Sequence, residues 1–216
     1  MILVSQWYEP EDETRKAELA ECRRLNEETR LLDAVDYVDG VWTFGELVDR
    51  CHEKYAGKAC VVANTDISFE SSWGLRSLCK PGRLVALTRW ENPTGPRFLG
   101  HQVDDRFFSG SQDAWAFIAG TIPAVDMNIP LGMVGCDNVI AGWAIKNGVE
   151  VINPALSIKT FHHHSSRERP DRPSVFGLYA YPELTTVKTT GMLLCHEWPT
   201  ADGRYEYEMG LHQCQP

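Results

Sequence analysis

No stretch of this chain approaches the ~20 consecutive apolar residues needed to cross a bilayer, so a membrane-spanning helix is not expected. The opening Met-Ile-Leu-Val-Ser-Gln-Trp-Tyr turns acidic at Glu9, Glu11, Asp12 and Glu13 and lacks the cationic leader and long apolar region of a signal peptide. Seven cysteines are present (Cys22, Cys51, Cys60, Cys79, Cys136, Cys195 and Cys214), none in a Cys-x-x-Cys pair. Their odd number and wide scatter suit buried reduced thiols better than a disulfide framework or a zinc knuckle, and a cytoplasmic setting is expected. The chain also lacks Gly-x-Gly-x-x-Gly, Gly-Lys-Ser/Thr, Gly-x-Ser-x-Gly and His-Glu-x-x-His. Dinucleotide, P-loop, serine-hydrolase and zincin readings lose their support. Positive charge is scarce, with 21 lysines and arginines against 30 acidic residues and a net charge of −9. A nucleic-acid acceptor is therefore disfavoured, because that affinity comes mainly from clustered cations.

What the chain does have is an ordinary globular composition: 216 residues, 43% hydrophobic and 24% charged. The pattern of short apolar runs and amphipathic stretches gives strands at 2–4, 31–38 and 60–63, separated by helices at 11–30 and after Thr43. Thr43 and Glu46 form a capping-box pattern, and Leu47, Cys51 and Tyr55 recur every four residues before Gly57. Further strands are expected at 84–87, 114–118, 149–152 and 156–161, with short helical turns at 72–78 and a helix at 138–147. Residues 92–110, rich in proline, glycine and charge, read as a long surface loop. The alternation predicts an α/β single domain, a three-layer α/β/α arrangement on a mostly parallel central sheet. Residues 1–165 would form its body, with halves at 1–90 and 91–165, and 166–216 a peripheral C-terminal extension.

Ligands of open parallel sheets collect beyond the carboxyl ends of the strands. Asp66 follows the 60–63 strand at that place, where a carboxylate can hold a hard divalent cation; an Asx turn ending the strand accounts for Asn64 and Asp66 equally well. His162, His163 and His164 follow a strand, and alternation puts His162 and His164 on one face and His163 on the other. Imidazole suits manganese- or zinc-like ions, and a solvated histidine run is the alternative. Asp137 stands at a helix start, either as its N-cap or as a base for a substrate hydroxyl. Ser111-Gln112-Asp113 is a polar triplet ahead of the 114–118 strand. Arg76, Arg89 and Lys159 lie near these segments as candidate phosphate contacts.

In order and separation these clusters resemble a GT-A fold glycosyltransferase. Val61-Val62-Ala63-Asn64-Thr65-Asp66-Ile67-Ser68-Phe69 looks like that family's Asp-x-Asp element, with Asn64 in the first position. Gly132, Gly135-Cys136-Asp137-Asn138, Ala141-Gly142-Trp143-Ala144, Gly148, Pro154 and His162 to His164 look like its acidic helix start, helix, glycine, strand, proline and terminal histidine; Cys136 replaces the usual glutamate. The resemblance implies a GT-A-like fold with a Rossmann-like N-terminal half, residues 1–90 binding the nucleotide and 91–165 the acceptor. It also implies Mn2+ or Mg2+ held by Asp66 with His162 or His164, and a nucleoside-diphosphate sugar contacted by Asn64, Asp66 and Arg89. Asp137 would be the base of an inverting transfer to an acceptor hydroxyl, Asp113 would orient the acceptor, and Trp115 or Trp143 would stack on a sugar. Two other classes use the same residues: a metal-dependent phosphoesterase or nucleotidyltransferase, and a non-catalytic nucleotide- or carbohydrate-binding module.

Overall fold

The computed structural model describes residues 1–91, 95–97, 100–123, 128–165, 175, 179–186, 192–196 and 208–212. Its first elements are β1 (Ile2–Trp7), α1 (Glu13–Glu28), β2 (Ala34–Asp39), α2 (Phe44–Tyr55), β3 (Ala59–Ala63), β4 (Ile67–Ser68), α3 (Leu75–Leu78) and β5 (Arg83–Leu87). Next come β6 (Trp90–Glu91), β7 (Gly95–Pro96), β8 (Gly100–Val103), β9 (Arg106–Ser109), β10 (Ala114–Ile118), α4 (Cys136–Lys146), β11 (Glu150–Ile152) and β12 (Phe161–His162). β13 (Tyr179–Pro182), β14 (Met192–His196) and β15 (Glu208–His212) form a separate antiparallel sheet. Local sequence signals explain several of these boundaries. Helix α2 starts at a complete capping box, in which Thr43 Oγ1 accepts from the Glu46 amide and Glu46 accepts from the Thr43 amide. Helix α1 starts at Asp12, whose carboxylate accepts from the Arg15 amide.

The three-layer α/β/α arrangement on a mostly parallel sheet does not form. The fold is mixed α/β, with a six-stranded sheet in the order β11-β5-β10-β3-β1-β2 accompanied by smaller mixed and antiparallel sheets. β1 runs parallel to β2 and β3, and β5 parallel to β11, but β10 lies between β3 and β5 antiparallel to both. Ala114-Trp-Ala-Phe-Ile118 is buried over nearly its whole length. Such a run carries no alternation and no sign of its direction, so the sequence pattern is silent on the reversal. The Rossmann-like half is lost with it, because β3 and β5 are not neighbours.

One face of the main sheet (Val4, Val62, Ala86, Trp115, Phe117) packs on Phe44, Leu47 and Cys51 of α2 and on Ile140 and Ala141 of α4. The opposite face (Leu3, Val61, Val85, Leu87, Ala116) is closed by Ile67, Phe69, Leu75 and Ile158, residues of short segments. Trp115 is fully buried, edge-on to Phe44 at 5.5 Å, and Trp143 packs half-buried against the same cluster, so Trp115 offers no face for a sugar. Two other expectations also change. The 156–161 strand shrinks to β12, because the Pro154 carbonyl draws the Ser157 and Ile158 amides into a turn. Within 92–110 the described residues form β7 and the β8–β9 hairpin. Cys22, Cys51, Cys60, Cys79 and Cys136 are free and buried; the side chains of Cys195 and Cys214 lie outside the described residues. No helix among the described residues is long and apolar enough to cross a membrane.

Part of the segment after residue 165 packs on the body. Asn138 Nδ2 donates to the Ala180 carbonyl at 3.0 Å, and the Tyr179 hydroxyl donates to the Val175 carbonyl. Gly135 is the N-cap of α4 at φ +83°, and a Cβ there would lie 2.9 Å from the Tyr179 hydroxyl. Gly135→Ala therefore combines left-handed strain of about 1–2 kcal/mol with displacement of Tyr179. A loss of stability of at least that size is expected in urea denaturation, and an unchanged midpoint would contradict this packing.

Candidate metal centre and carboxylate pair

The short β4 strand decides what meets what. The Ile67 amide donates to the Asn64 carbonyl, so 64–67 is a tight turn that carries Asp66 over the carboxyl end of β3. β12 pairs antiparallel with β4, Phe161 opposite Ser68 and His162 opposite Ile67, and the His163 amide donates to the Asp66 carbonyl. The histidine run is thereby laid alongside the turn. Asp66, His162 and His164 each present a ligand atom, all within 4.8 Å of one another. The His162 and His164 rings lie 5.4 Å apart, while His163 turns away to share a 2.8 Å hydrogen bond with Ser68 Oγ. The alternation read from the sequence is formed.

β12 also pairs parallel with β6, which sets Glu91 beside His162 at 3.1 Å. Glu91 in turn holds Arg89 Nε at 2.9 Å, and Arg89 Nη1 donates to Asp113 at 2.9 Å. The Asp113 carboxylate also accepts from Asn64 Nδ2 at 2.8 Å and from Ser111 Oγ at 3.4 Å. Because β10 is antiparallel, Asp113 at its start lies at the carboxyl edge of β3 and β5: its amide donates to Leu87 and its carbonyl accepts from Asn64. Asp137 closes the series, with the Gln112 amide at 3.3 Å from one oxygen and Cys136 Sγ at 3.0 Å from the other. It lies in the first turn of α4 rather than at the N-cap, which is Gly135.

The expected site residues Asn64, Asp66, Arg89, Asp113, Asp137, His162 and His164 thus belong to one linked group. Arg76 does not, since it pairs with Asp33 elsewhere, and Lys159 lies over the Trp90 ring at 4.2 Å. Arg15 and Glu91 are members that the sequence reading did not pick out. Glu91 carried no signal, since it stands just past the 84–87 strand in a stretch with no apolar pattern. Arg15 carried none, lying on a helix whose charges otherwise pair with each other.

The two parts of the group differ in electrostatics. Burial would raise the Asp66 carboxyl, but hydrogen bonds from His162 and His164 and the charges of His162 and Arg15 hold it well below the ordinary carboxylate range. Burial would lower His162, and Asp66 raises it on balance. The Asp137 carboxyl moves the other way, pushed up to about 8 by burial and then by the charge of Asp113, against donation from Cys136 and Gln112 and the charge of Arg89. Asn64 Oδ1 and Gln112 Oε1, beside this pair, are buried acceptors with no hydrogen-bond partner among the described residues. One half of the group suits a cation, and the other presents a carboxyl that binds a proton near neutrality.

No family model and no curated protein matches the chain.

An unfolded aspartate ionises near pH 3.9. Between that pH and about 8 the unfolded chain releases a proton that folded Asp137 keeps, so stability falls as pH rises through this window and levels off above it. Asp137→Asn abolishes this titration. Its stability relative to the parent is expected to increase from about pH 4 to about pH 8 by more than about 1 kcal/mol, since each tenfold change in proton affinity is worth about 1.4 kcal/mol. Urea denaturation across that range measures the difference, and parallel profiles would show that Asp137 titrates normally.

Proposed function

We propose that the chain is a metal-dependent glycosyltransferase that moves a sugar from a nucleoside-diphosphate sugar to an acceptor hydroxyl with inversion. The observation that carries this reading is the linkage of a cation-binding cluster, Asp66, His162 and His164, to a buried carboxyl pair, Asp113 and Asp137, at one edge of the sheet. One carboxylate oxygen and two imidazole nitrogens suit a manganese-type ion, and the three donor atoms are close enough to share one. When bound, such an ion offsets the negative charge that builds on a departing diphosphate.

The remaining steps belong to the protein's own groups. Asp137, once ionised, accepts the proton of the acceptor hydroxyl as that oxygen attacks the anomeric carbon on the face opposite the leaving group. Its raised proton affinity makes it a stronger base than an exposed carboxylate. Asp113 is fixed by Arg89, Asn64 and Ser111, so its charge is held in place and keeps Asp137 basic. The oxygens of Asn64 and Gln112, without a partner among the described residues, are acceptors for hydroxyls of a bound sugar, whose donation would relieve their burial.

The same two-histidine, one-carboxylate set serves ferrous oxygenases. A basic carboxyl, Asp137, adjoining the cluster has a use in hydroxyl deprotonation and none in holding that metal, which favours transfer.

Sugar release from nucleoside-diphosphate sugars is expected with Mn2+ and not with chelator. Asp137→Asn should lower kcat by about 10²-fold or more, the usual worth of a general base, with donor binding retained. Asp66→Ala should abolish metal-dependent nucleotide binding in calorimetry. Release of phosphate from simple esters without sugar release would identify phosphoesterase chemistry instead, and nucleotide binding with no turnover in the parent would identify a binding module.

A further inference from the structure

The cation cluster already contains a cation that cannot be titrated away. Arg15 Nη2 lies 2.5 Å from Asp66 Oδ2, the same oxygen that His162 Nε2 approaches at 3.3 Å and His164 Nδ1 at 3.6 Å. The Arg15 side chain is only 12% exposed. Its other terminal nitrogen donates to the His163 carbonyl at 2.9 Å and to Glu18 Oε2 at 3.0 Å. Glu18 then reaches the same segment through Oε1, which accepts from the amide of Ser165 at 2.6 Å and from its hydroxyl. Helix α1 therefore grips residues 163–165 twice, and one of the two grips runs over the oxygen at the centre of the cluster.

We propose that Arg15 is a counter-ion latch: its guanidinium and a divalent ion are alternative occupants of Asp66 Oδ2, and loading the ion transfers Arg15 to Glu18. This rests on the reading of Asp66, His162 and His164 as metal ligands. A carboxylate oxygen binds such ions at about 2.0–2.2 Å, so an ion shared with the two imidazoles would stand next to a guanidinium on the same oxygen. Two cations there repel across a site with little water to screen them. Imidazole ligates metals through a neutral ring nitrogen. A guanidinium keeps its charge in a protein, so Arg15 must move, and Glu18 is already bonded to it.

The latch has two consequences. Without an ion, Arg15 joins His162 and His164 in offsetting the buried Asp66 charge. With an ion, Arg15 Nη2 gives up Asp66 while Nη1 stays on Glu18, so the contact of α1 with Asp66 reports whether the site is loaded.

The test is a calorimetric titration of the full chain with Mn2+ alone, comparing the parent with Arg15→Gln and Asp66→Asn. The latch predicts that Arg15→Gln binds Mn2+ more tightly, by about tenfold, a shift well resolved on an affinity scale, and that Asp66→Asn loses the site. Equal or weaker binding by Arg15→Gln, with Asp66→Asn still defective, overturns the latch and leaves the metal centre standing. Absence of binding in the parent, or binding by Asp66→Asn at parental strength, overturns the metal centre itself. Should Arg15→Gln fail to fold, the unaltered chain answers by NMR with diamagnetic Zn2+. The Arg15 guanidinium resonance should shift and exchange faster as one equivalent is added. A resonance unmoved at saturation overturns the latch.

Discussion

The reversal of a single strand governs where the chemistry of this protein lies. β10 enters between β3 and β5 antiparallel to both, so the residues that precede it emerge at the edge where β3 and β5 end. Had β10 run parallel, Ser111, Gln112 and Asp113 would sit at the opposite edge, away from Asp66. The reversal lets the Asp113 backbone bridge Leu87 and Asn64 and its carboxylate meet Arg89 and Asn64. A second, smaller constraint acts in the same direction. Two residues of β4 are enough to align β12 and bring His162 and His164 over Asp66.

These constraints produce a site with a gradient of charge. At one end Asp66 is surrounded by Arg15, His162 and His164 and is held ionised. At the other, burial and the charge of Asp113 raise the proton affinity of Asp137. Glu91 and Arg89 join the ends as an ion pair between them. Buried charges of this kind are costly unless paired, and here Asp66, Asp113 and Glu91 each touch an arginine or a histidine. Asp137 is the exception, with only a thiol, one amide and a more distant Arg89 to oppose the Asp113 charge, and it is the group the proposed reaction uses as base. Cys136, which stands next to it, supplies a weak donor and no charge of its own.

The sequence made some of this legible and hid the rest for definable reasons. The capping box at Thr43, the apolar runs of β3 and β5 and the alternation of His162 and His164 are local, so their patterns survive in one dimension. The direction of β10 is not local. A fully buried strand looks the same either way round, and the expectation of a parallel three-layer sheet failed there. Asp113 reads locally as the end of a polar triplet and is a candidate only through the family resemblance, and its place in the site follows from the strand reversal that the pattern cannot show. Arg15 was missed because its helix reads as a row of solvent-exposed charges, several of which are paired i to i+3 or i+4. Only the tertiary contact with Asp66 distinguishes it from its neighbours.

The central claim is that the Asp66 cluster and the Asp137 carboxyl serve one reaction. Anomalous scattering at the manganese edge, from crystals grown with Mn2+ and a non-hydrolysable nucleoside-diphosphate sugar, tests it most directly. The account predicts a manganese peak bonded to Asp66, His162 and His164, with the sugar lying between the ion and Asp137. A peak bound to other residues, or a sugar turned away from Asp137, would contradict it.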